Sequence, residues 1–236
     1  MFSTYKKSIR KCITFSLIAV AIQGKTTFYV FPPATLSVKS GYAHEKLSFG
    51  IKSLPRKEFS NINYGLISLE GELLEYNKPY FKGRITNGWG NYGAYDFDAD
   101  LLLGYAYPRF AFLTFVPLIG VDFNYQKFPE FWMHFVTPLV GIKLLFSSGP
   151  TTHFRFIAGY EYQFGWLDLH TRYTSLHRYL CANKVTLSPQ WQLSPHCILG
   201  LHFLWLYAKA EPSPNTSFDG LTNQIYEGDF QVSYGF

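Results

Sequence analysis

The sequence lacks the long apolar segments by which helical membrane proteins cross a bilayer. A spanning helix needs roughly 18 or more consecutive apolar residues, and after the amino terminus Pro, Lys or Gly interrupts every such run in the 236 residues. Strongly clustered charge is also absent outside positions 6–11, although the net charge is +5. The sequence therefore argues against helical membrane spans, and we expect no nucleic-acid partner.

Cysteine is scarce, with three in the chain, and only Cys181 and Cys197 lie beyond the amino-terminal segment. The sequence predicts a strand at 184–193 between them. At a rise of roughly 3.3 Å per residue, that strand separates the two sulfurs by far more than a disulfide spans. We therefore predict two free thiols.

The amino terminus has the pattern of a secretory signal peptide. Lys6, Lys7, Arg10 and Lys11 precede an apolar run at 12–22 that is too short to cross a membrane as a helix. The small residues at 19–21 and Gly24 offer two cleavage positions. We predict that residues 1–24 are removed and that residues 25–236 form one mature domain.

From about residue 66 onward, apolar and polar residues alternate with a period of two, which indicates strands with one apolar face. Aromatic residues make up 19% of the chain, and many stand near the ends of these strands. A lipid-facing sheet requires this pattern, because it must be apolar outside and must close so that all backbone groups pair. The predicted fold is all-β, a closed antiparallel transmembrane β-barrel.

We expect about ten strands, an even number as in single-chain bacterial barrels. They are placed near 36–51, 60–75, 79–87, 93–107, 110–125, 132–147, 152–165, 184–193, 195–209 and 224–236. Long loops are expected outside the cell at 166–183 and 210–223, where a contact surface would lie. In the first strand, Tyr42 and Leu47 differ in parity from each other, which predicts a bulge between them or a later start.

Charged residues fall on the face that the alternation directs to the lumen. They are Glu70, Glu72, Lys82, Arg84, Asp96, Asp98, Asp100, Lys143, Arg155 and Glu161. A ten-stranded barrel is narrow and filled by its own side chains, so a general porin is improbable. Two interpretations remain open: a charge network that braces the barrel, or a selective cation path.

The carboxyl terminus resembles the terminal β-signal of outer membrane barrels, with Phe230, Val232, Tyr234 and the final Phe236 on one face. The resemblance implies recognition by the barrel-insertion machinery, physically a strand addition to an exposed edge. We accordingly expect the protein in the cell outer membrane. The expected partners are outer membrane lipid and lipopolysaccharide, and the expected state is a monomer.

The second half of the chain resembles the omptin family of ten-stranded outer membrane endopeptidases. The similar stretches are the residues at 138–142, Tyr160-Glu161-Tyr162 and the residues at 165–170. The resemblance implies a catalytic Asp-x-His pair on an extracellular loop, matched by Asp168 and His170. It also implies an Asp-x-Asp pair; Asp96 and Asp98 match its spacing but continue into a strand that points them at the lumen.

The sequence thus favours an integral outer membrane barrel that is not an enzyme and acts as a structural, surface-binding or narrow-channel protein. The alternative is an omptin-like endopeptidase. His177 and Cys181 could share a metal with His170 on a short helix, but no fourth ligand is evident. We therefore predict no cofactor and no metal site.

Overall fold

A computed structural model describes residues 31–51, 54–110, 112–147, 153–172, 175–212 and 218–236. The predicted signal peptide, at 1–24, lies outside the described residues. The strands are β1 Ala34–Ile51, β2 Leu54–Leu73, β3 Pro79–Gly90, β4 Tyr95–Tyr105, β5 Tyr107–Phe110, β6 Leu113–Lys127, β7 Phe131–Ser147, β8 Phe154–Thr171, β9 Ser175–Gln192, β10 Cys197–Ala210 and β11 Phe218–Gly235. A 3-10 turn spans Asn91–Gly93. No helix in the described part of the chain is long and apolar enough to cross a membrane.

The sheet closes on itself, with every neighbouring pair of strands antiparallel. β1 pairs with both β2 and β11, and β4 pairs with both β3 and β6. β5 continues β4 after a one-residue break at Ala106 and pairs with the same neighbour, β6. Ten chain crossings therefore form the wall, and the predicted closed antiparallel barrel of about ten strands is confirmed.

The wall is apolar outside and polar inside over its central part. Leu69 and Ile85 face outward, each about half exposed, whereas Lys39 and Glu70 on the inner face are almost fully buried. Aromatic rings form belts near both ends. At one end the rings of Trp89, Tyr95, Tyr125 and Trp132 follow one another at centroid distances of 6.1–6.4 Å. At the other, Phe154–Trp191 and Tyr234–Phe236 contacts occur, as expected at the two membrane interfaces.

We call the end that carries Phe236 the terminal end and the opposite one the loop end. Between them the interior has three layers. The terminal-end layer is a small apolar cluster around Tyr80, Leu102 and Val116. The middle layer consists of charged and polar side chains. The loop-end layer is a larger apolar cluster that includes Phe49, Phe131, Leu167 and Phe218.

Both of the long loops expected from the sequence are shorter than predicted. The chain at 166–183 is mostly strand, because β8 runs to Thr171 and β9 begins at Ser175; at 210–223, β11 begins at Phe218. The physical reason is a reversal of polarity at the loop end, where Leu167 and Leu169 point into the apolar layer and their neighbours point out. The alternation continues there, but with its apolar face turned inward.

The same reversal explains the parity change in β1. Val38 and Tyr42 face outward, whereas Leu47 and Phe49 enter the loop-end layer. The expected bulge in β1, or a later start, is therefore wrong: β1 begins at Ala34 and pairs with β11 without a shift up to Phe49. The irregularity lies in β2, which has one extra residue opposite the step from Glu45 to Leu47.

Substitution by arginine at two depths tests the orientation of the wall. Ile85→Arg places a cation on the outer face in mid-strand and should cost roughly 2–4 kcal/mol, whereas Asn61→Arg, at the loop end, should cost about 0–1 kcal/mol. Denaturant titration of protein refolded into lipid vesicles measures both. Equal costs at the two positions would contradict the assignment of Ile85 to the hydrocarbon.

Candidate functional site

The middle layer is organised around Arg84 on β3. Its Nε lies 2.8 Å from Asp100 Oδ2, and the guanidinium also contacts Asp98 on the same neighbouring strand. Glu227 on β11 approaches from across the lumen, with its Oε1 3.7 Å from Arg84 Nη1. Because β3 and β4 are paired in register at Arg84 and Asp100, the strand pairing itself presents the guanidinium to the carboxylates.

A second group surrounds two glutamates of β2. Glu70 lies 2.6 Å from Lys39 on β1 and 2.8 Å from Lys82 on β3, so one carboxylate joins three strands. Glu72 accepts a hydrogen bond from the Tyr80 hydroxyl at 2.9 Å. Lys143 at 3.6 Å and Arg155 at 3.8 Å approach Glu72 from β7 and β8 on the opposite wall.

Lys184 on β9 connects the remaining carboxylates. Its Nζ lies 3.2 Å from Asp122, 3.5 Å from Glu161 and 3.7 Å from Asp100. Contacts of this kind satisfy buried charges across a narrow lumen.

All ten charges that the sequence places in the lumen lie on the inner wall, including Asp96, which accepts a hydrogen bond from Asn124 at 3.0 Å. The structure adds members that the sequence analysis missed. They are Lys39, Glu45, Asp122, Lys184, His202, Glu227 and Asp229. Alternation along β6 and β11 could have found Asp122, Glu227 and Asp229, whereas Lys39 lies in the strand whose parity was misread.

The interior leaves little open space above this network. A cavity of about 60 Å³ lies between the charges and the loop-end layer, room for water or a small ion and not for an organic substrate. Above it, the ring of Phe131 lies 4.9 Å from that of Phe49 and 4.4 Å from that of Phe128. Phenylalanine rings in edge-on and stacked contact thus pack within the lumen at the loop end.

Asp168 lies on the outer face of the barrel, on β8 and not on a loop as the resemblance implied. Its two carboxylate oxygens contact histidines of both neighbouring strands, His134 Nε2 at 2.9 Å and His177 Nδ1 at 2.5 Å. These partners face Asp168 directly in the strand register. His170 instead stacks on Trp132, with ring centroids 3.8 Å apart.

The four residues matched to the omptin pattern are not brought together. Asp96 and Asp98 point into the lumen, whereas Asp168 and His170 point away from it, so the barrel wall stands between the two pairs. His177 and Cys181 lie on β9, so the short helix considered for a metal site is wrong. Cys181 and Cys197 are both free.

The residues of the carboxyl-terminal signal face outward. Phe230, Val232, Tyr234 and Phe236 are each at least two-fifths exposed. The first three lie on β11 and Phe236 directly follows it; β11 is the last strand and pairs with β10 and with the first strand β1. They therefore border the seam at which the barrel closes.

No protein-family model matches the sequence, and no curated protein matches it. Solved structures do match. The outer membrane protease OmpT from Escherichia coli superposes with a TM-score of 0.53 at 10% identity, covering 89% of this chain and 100% of that one. The translocator domain of autotransporter NalP from Neisseria meningitidis gives a TM-score of 0.39 at 11% identity, over 99% and 98% of the two chains.

A third match, Neisserial surface protein A, has a TM-score of 0.38 at 14% identity and covers 85% of this chain and 97% of that one. At such identities the likeness concerns the fold alone. The closed sheet, its apolar outer face and the fold shared with OmpT define the class: the chain is an integral outer membrane β-barrel protein.

Arg84 offers a test of the middle layer. Arg84→Gln leaves Asp98, Asp100 and Glu227 without their shared cation, and breaking a buried ionic group on one side costs about 3–5 kcal/mol. The triple variant Arg84→Gln, Asp98→Asn, Asp100→Asn also removes two of the three unpaired charges, leaving Glu227, and should regain part of that loss. Urea unfolding of the refolded protein measures both; a single variant as stable as the parent would contradict the network.

Proposed function

We propose that the protein is a closed, non-conducting outer membrane barrel that acts through the outer face of its loop end, as a binding surface and without catalytic activity. The observation that carries this proposal is the filled interior. Charged side chains bridge the lumen in the middle, and apolar layers stand on both sides of them. The fold supports a location in the outer membrane, with the loop end facing out of the cell.

The interior layering favours the bracing network over the selective cation path. Carboxylates such as Glu70 and Asp100 are engaged by Lys39, Lys82 and Arg84 at 2.6–2.8 Å. An ion that passed them would next meet the apolar loop-end layer, and apolar constrictions block ions by excluding water. A continuous hydrated path is therefore not expected.

The outer face at the loop end supports the binding role. The indole rings of Trp132 and Trp166 stack on His170 and His177, at centroid distances of 3.8 and 4.8 Å. Tryptophan beside polar groups is typical of the interface between hydrocarbon and headgroups. Imidazoles at this depth would meet the anionic headgroups of the outer leaflet, so lipopolysaccharide is the proposed partner class.

An omptin-like endopeptidase remains the second candidate. The observations in its favour are the likeness of fold to OmpT over 89% of this chain and an Asp168 carboxylate that contacts two imidazoles. Against it stands the placement of the acidic pair, Asp96 and Asp98, on the other side of the wall. A general-base site needs its groups within hydrogen-bond reach of one water, and a water cannot bridge both faces.

Planar-bilayer recording tests the closed interior. Purified protein inserted from detergent should give no stepwise currents at either polarity, because the loop-end layer excludes ions. Heat-modifiable mobility on gels verifies that the preparation is folded, and its flotation with lipid vesicles verifies that it inserts. Discrete openings that disappear in an Asp98→Asn variant would contradict the proposal and support the cation path.

Peptide cleavage separates the binding role from the protease alternative. Refolded protein in detergent with lipopolysaccharide should leave a mixed peptide library intact, as should the variant Asp168→Asn. The matched control is Asp219→Asn, an exposed acid of β11 at the same end of the barrel. Cleavage by the parent and the control that is lost in Asp168→Asn would contradict a non-catalytic barrel.

A further inference from the structure

Three potential metal ligands converge in the middle layer where β10 meets β11. His202 on β10 lies directly opposite Asp229 on β11, and Glu227 projects from the same face of β11 two residues earlier. One ligand atom from each of the three residues lies within 4.8 Å of the others. None of the three belongs to the omptin pattern or to the histidines of the outer face, which are His134, His170 and His177.

These atoms have no hydrogen-bond partners although they are buried. His202 is 3% exposed and Asp229 is 4% exposed. Within the described residues, His202 Nε2, both carboxylate oxygens of Asp229 and Glu227 Oε1 find no hydrogen-bond partner. A buried polar group without a hydrogen-bond partner reduces the stability of the fold. Glu70, in contrast, contacts two lysines.

The cation that approaches Glu227 is already engaged by other acids. Arg84 Nη1 lies 3.7 Å from Glu227 Oε1, but the same guanidinium contacts Asp98 and Asp100 at closer range. Glu227 therefore receives only a distant part of one charge, and among the described residues no ion pair to Asp229 is found.

The middle layer also contains more acids than cations. Its acids are Glu45, Glu70, Glu72, Asp96, Asp98, Asp100, Asp122, Glu161, Glu227 and Asp229, and its cations are Lys39, Lys82, Arg84, Lys143, Arg155 and Lys184. Arg178, in the loop-end layer, adds a seventh cation. Acids remain in excess, so a bound cation would bring the interior closer to neutrality.

Two neighbouring residues, Ser188 and Gly41, favour a geometry that could bind an ion. Ser188 Oγ lies 2.7 Å from His202 Nδ1. When Nδ1–H donates to that oxygen, the lone pair of Nε2 is directed at the carboxylates, which is the usual outer-shell support of a metal-binding histidine. On the other side, Gly41 leaves the space that Asp229 occupies, since a Cβ there would stand 2.0 Å from Asp229 Oδ1.

We propose that His202, Glu227 and Asp229 bind one divalent transition-metal ion, with zinc as the representative, inside the barrel. One imidazole and two carboxylates suit zinc and its neighbours, whereas calcium and magnesium favour all-oxygen sites. Bonds of about 2.0–2.2 Å bring tetrahedral ligand atoms to roughly 3.4 Å apart, so small rotations of these side chains close the site. Water from the adjacent cavity supplies the fourth ligand.

The position of the ion defines its role. It would tie β10 to β11 beside Gly41 of β1, that is, next to the seam where the last strand meets the first. A ligand that binds only the folded state stabilises it, and the stabilisation grows with the logarithm of the ligand concentration relative to Kd. The metal would therefore stabilise the closed barrel next to its seam.

The experiment measures metal content and heat stability together. Full-length protein is refolded in detergent with zinc chloride, freed of loose metal by gel filtration and analysed for zinc. We expect one equivalent and a rise in the temperature at which the folded gel band disappears. Asp229→Asn and His202→Gln should lose both effects. Ser188→Ala keeps all three ligands and should weaken zinc binding about 10–100-fold.

The outer histidines provide the matched control, since they could hold zinc adventitiously. The variant His134→Gln, His170→Gln, His177→Gln should keep its one equivalent. The proposal is overturned if folded parent protein retains none of zinc, cobalt or manganese, in which case a proton shared by Glu227 and Asp229 explains the pair. Loss of the equivalent in the outer variant, with its retention in Asp229→Asn, would also overturn it.

Discussion

The constraint on which the rest of the structure depends is the pairing of every backbone group that lies in hydrocarbon. A sheet meets it only by closing, and here β1 closes on β11 while β4, continued by β5, closes on β6. Closure with ten strands makes a narrow tube. Side chains that alternate inward must then find partners within a few ångströms, since the small interior leaves them little water.

The interior provides these partners in a charged middle layer that lies between two apolar layers. Arg84, Lys184 and Glu70 each contact partners on more than one strand, so the charges brace the wall from inside. Buried ion pairs recover a large desolvation cost only when their geometry is good. The apolar layers at both ends limit access of water to this network. Within the described part of the chain, neither of the carboxylate oxygens of Asp229 nor the Nε2 of His202 has a hydrogen-bond partner.

The outer surface changes character along the same strands. In the membrane zone it is apolar, but towards the loop end the apolar side chains turn inward and polar ones turn outward, as along β8 with Leu167 inside and Asp168 outside. The position of a residue in this alternation thus determines which groups its side chain contacts. One residue of shift in β8 would bring Asp168 to the lumen side, where Asp96 and Asp98 lie; the observed register sends it to the histidines of β7 and β9 instead.

Alternation along the sequence was sufficient to predict a closed barrel, its inside and outside, and ten of the lumen charges, because a period of two follows directly from strand geometry. It could not predict where polarity reverses along a strand. For that reason the sequence predicted a bulge between Tyr42 and Leu47 in β1 or a later start of that strand, and a loop at 166–183. That reversal depends on how far each strand extends beyond the membrane. The contacts of Asp168 with His134 and His177, and of His202 with Asp229, were decided only by the tertiary structure, because strand register and not sequence spacing determines which side chains meet.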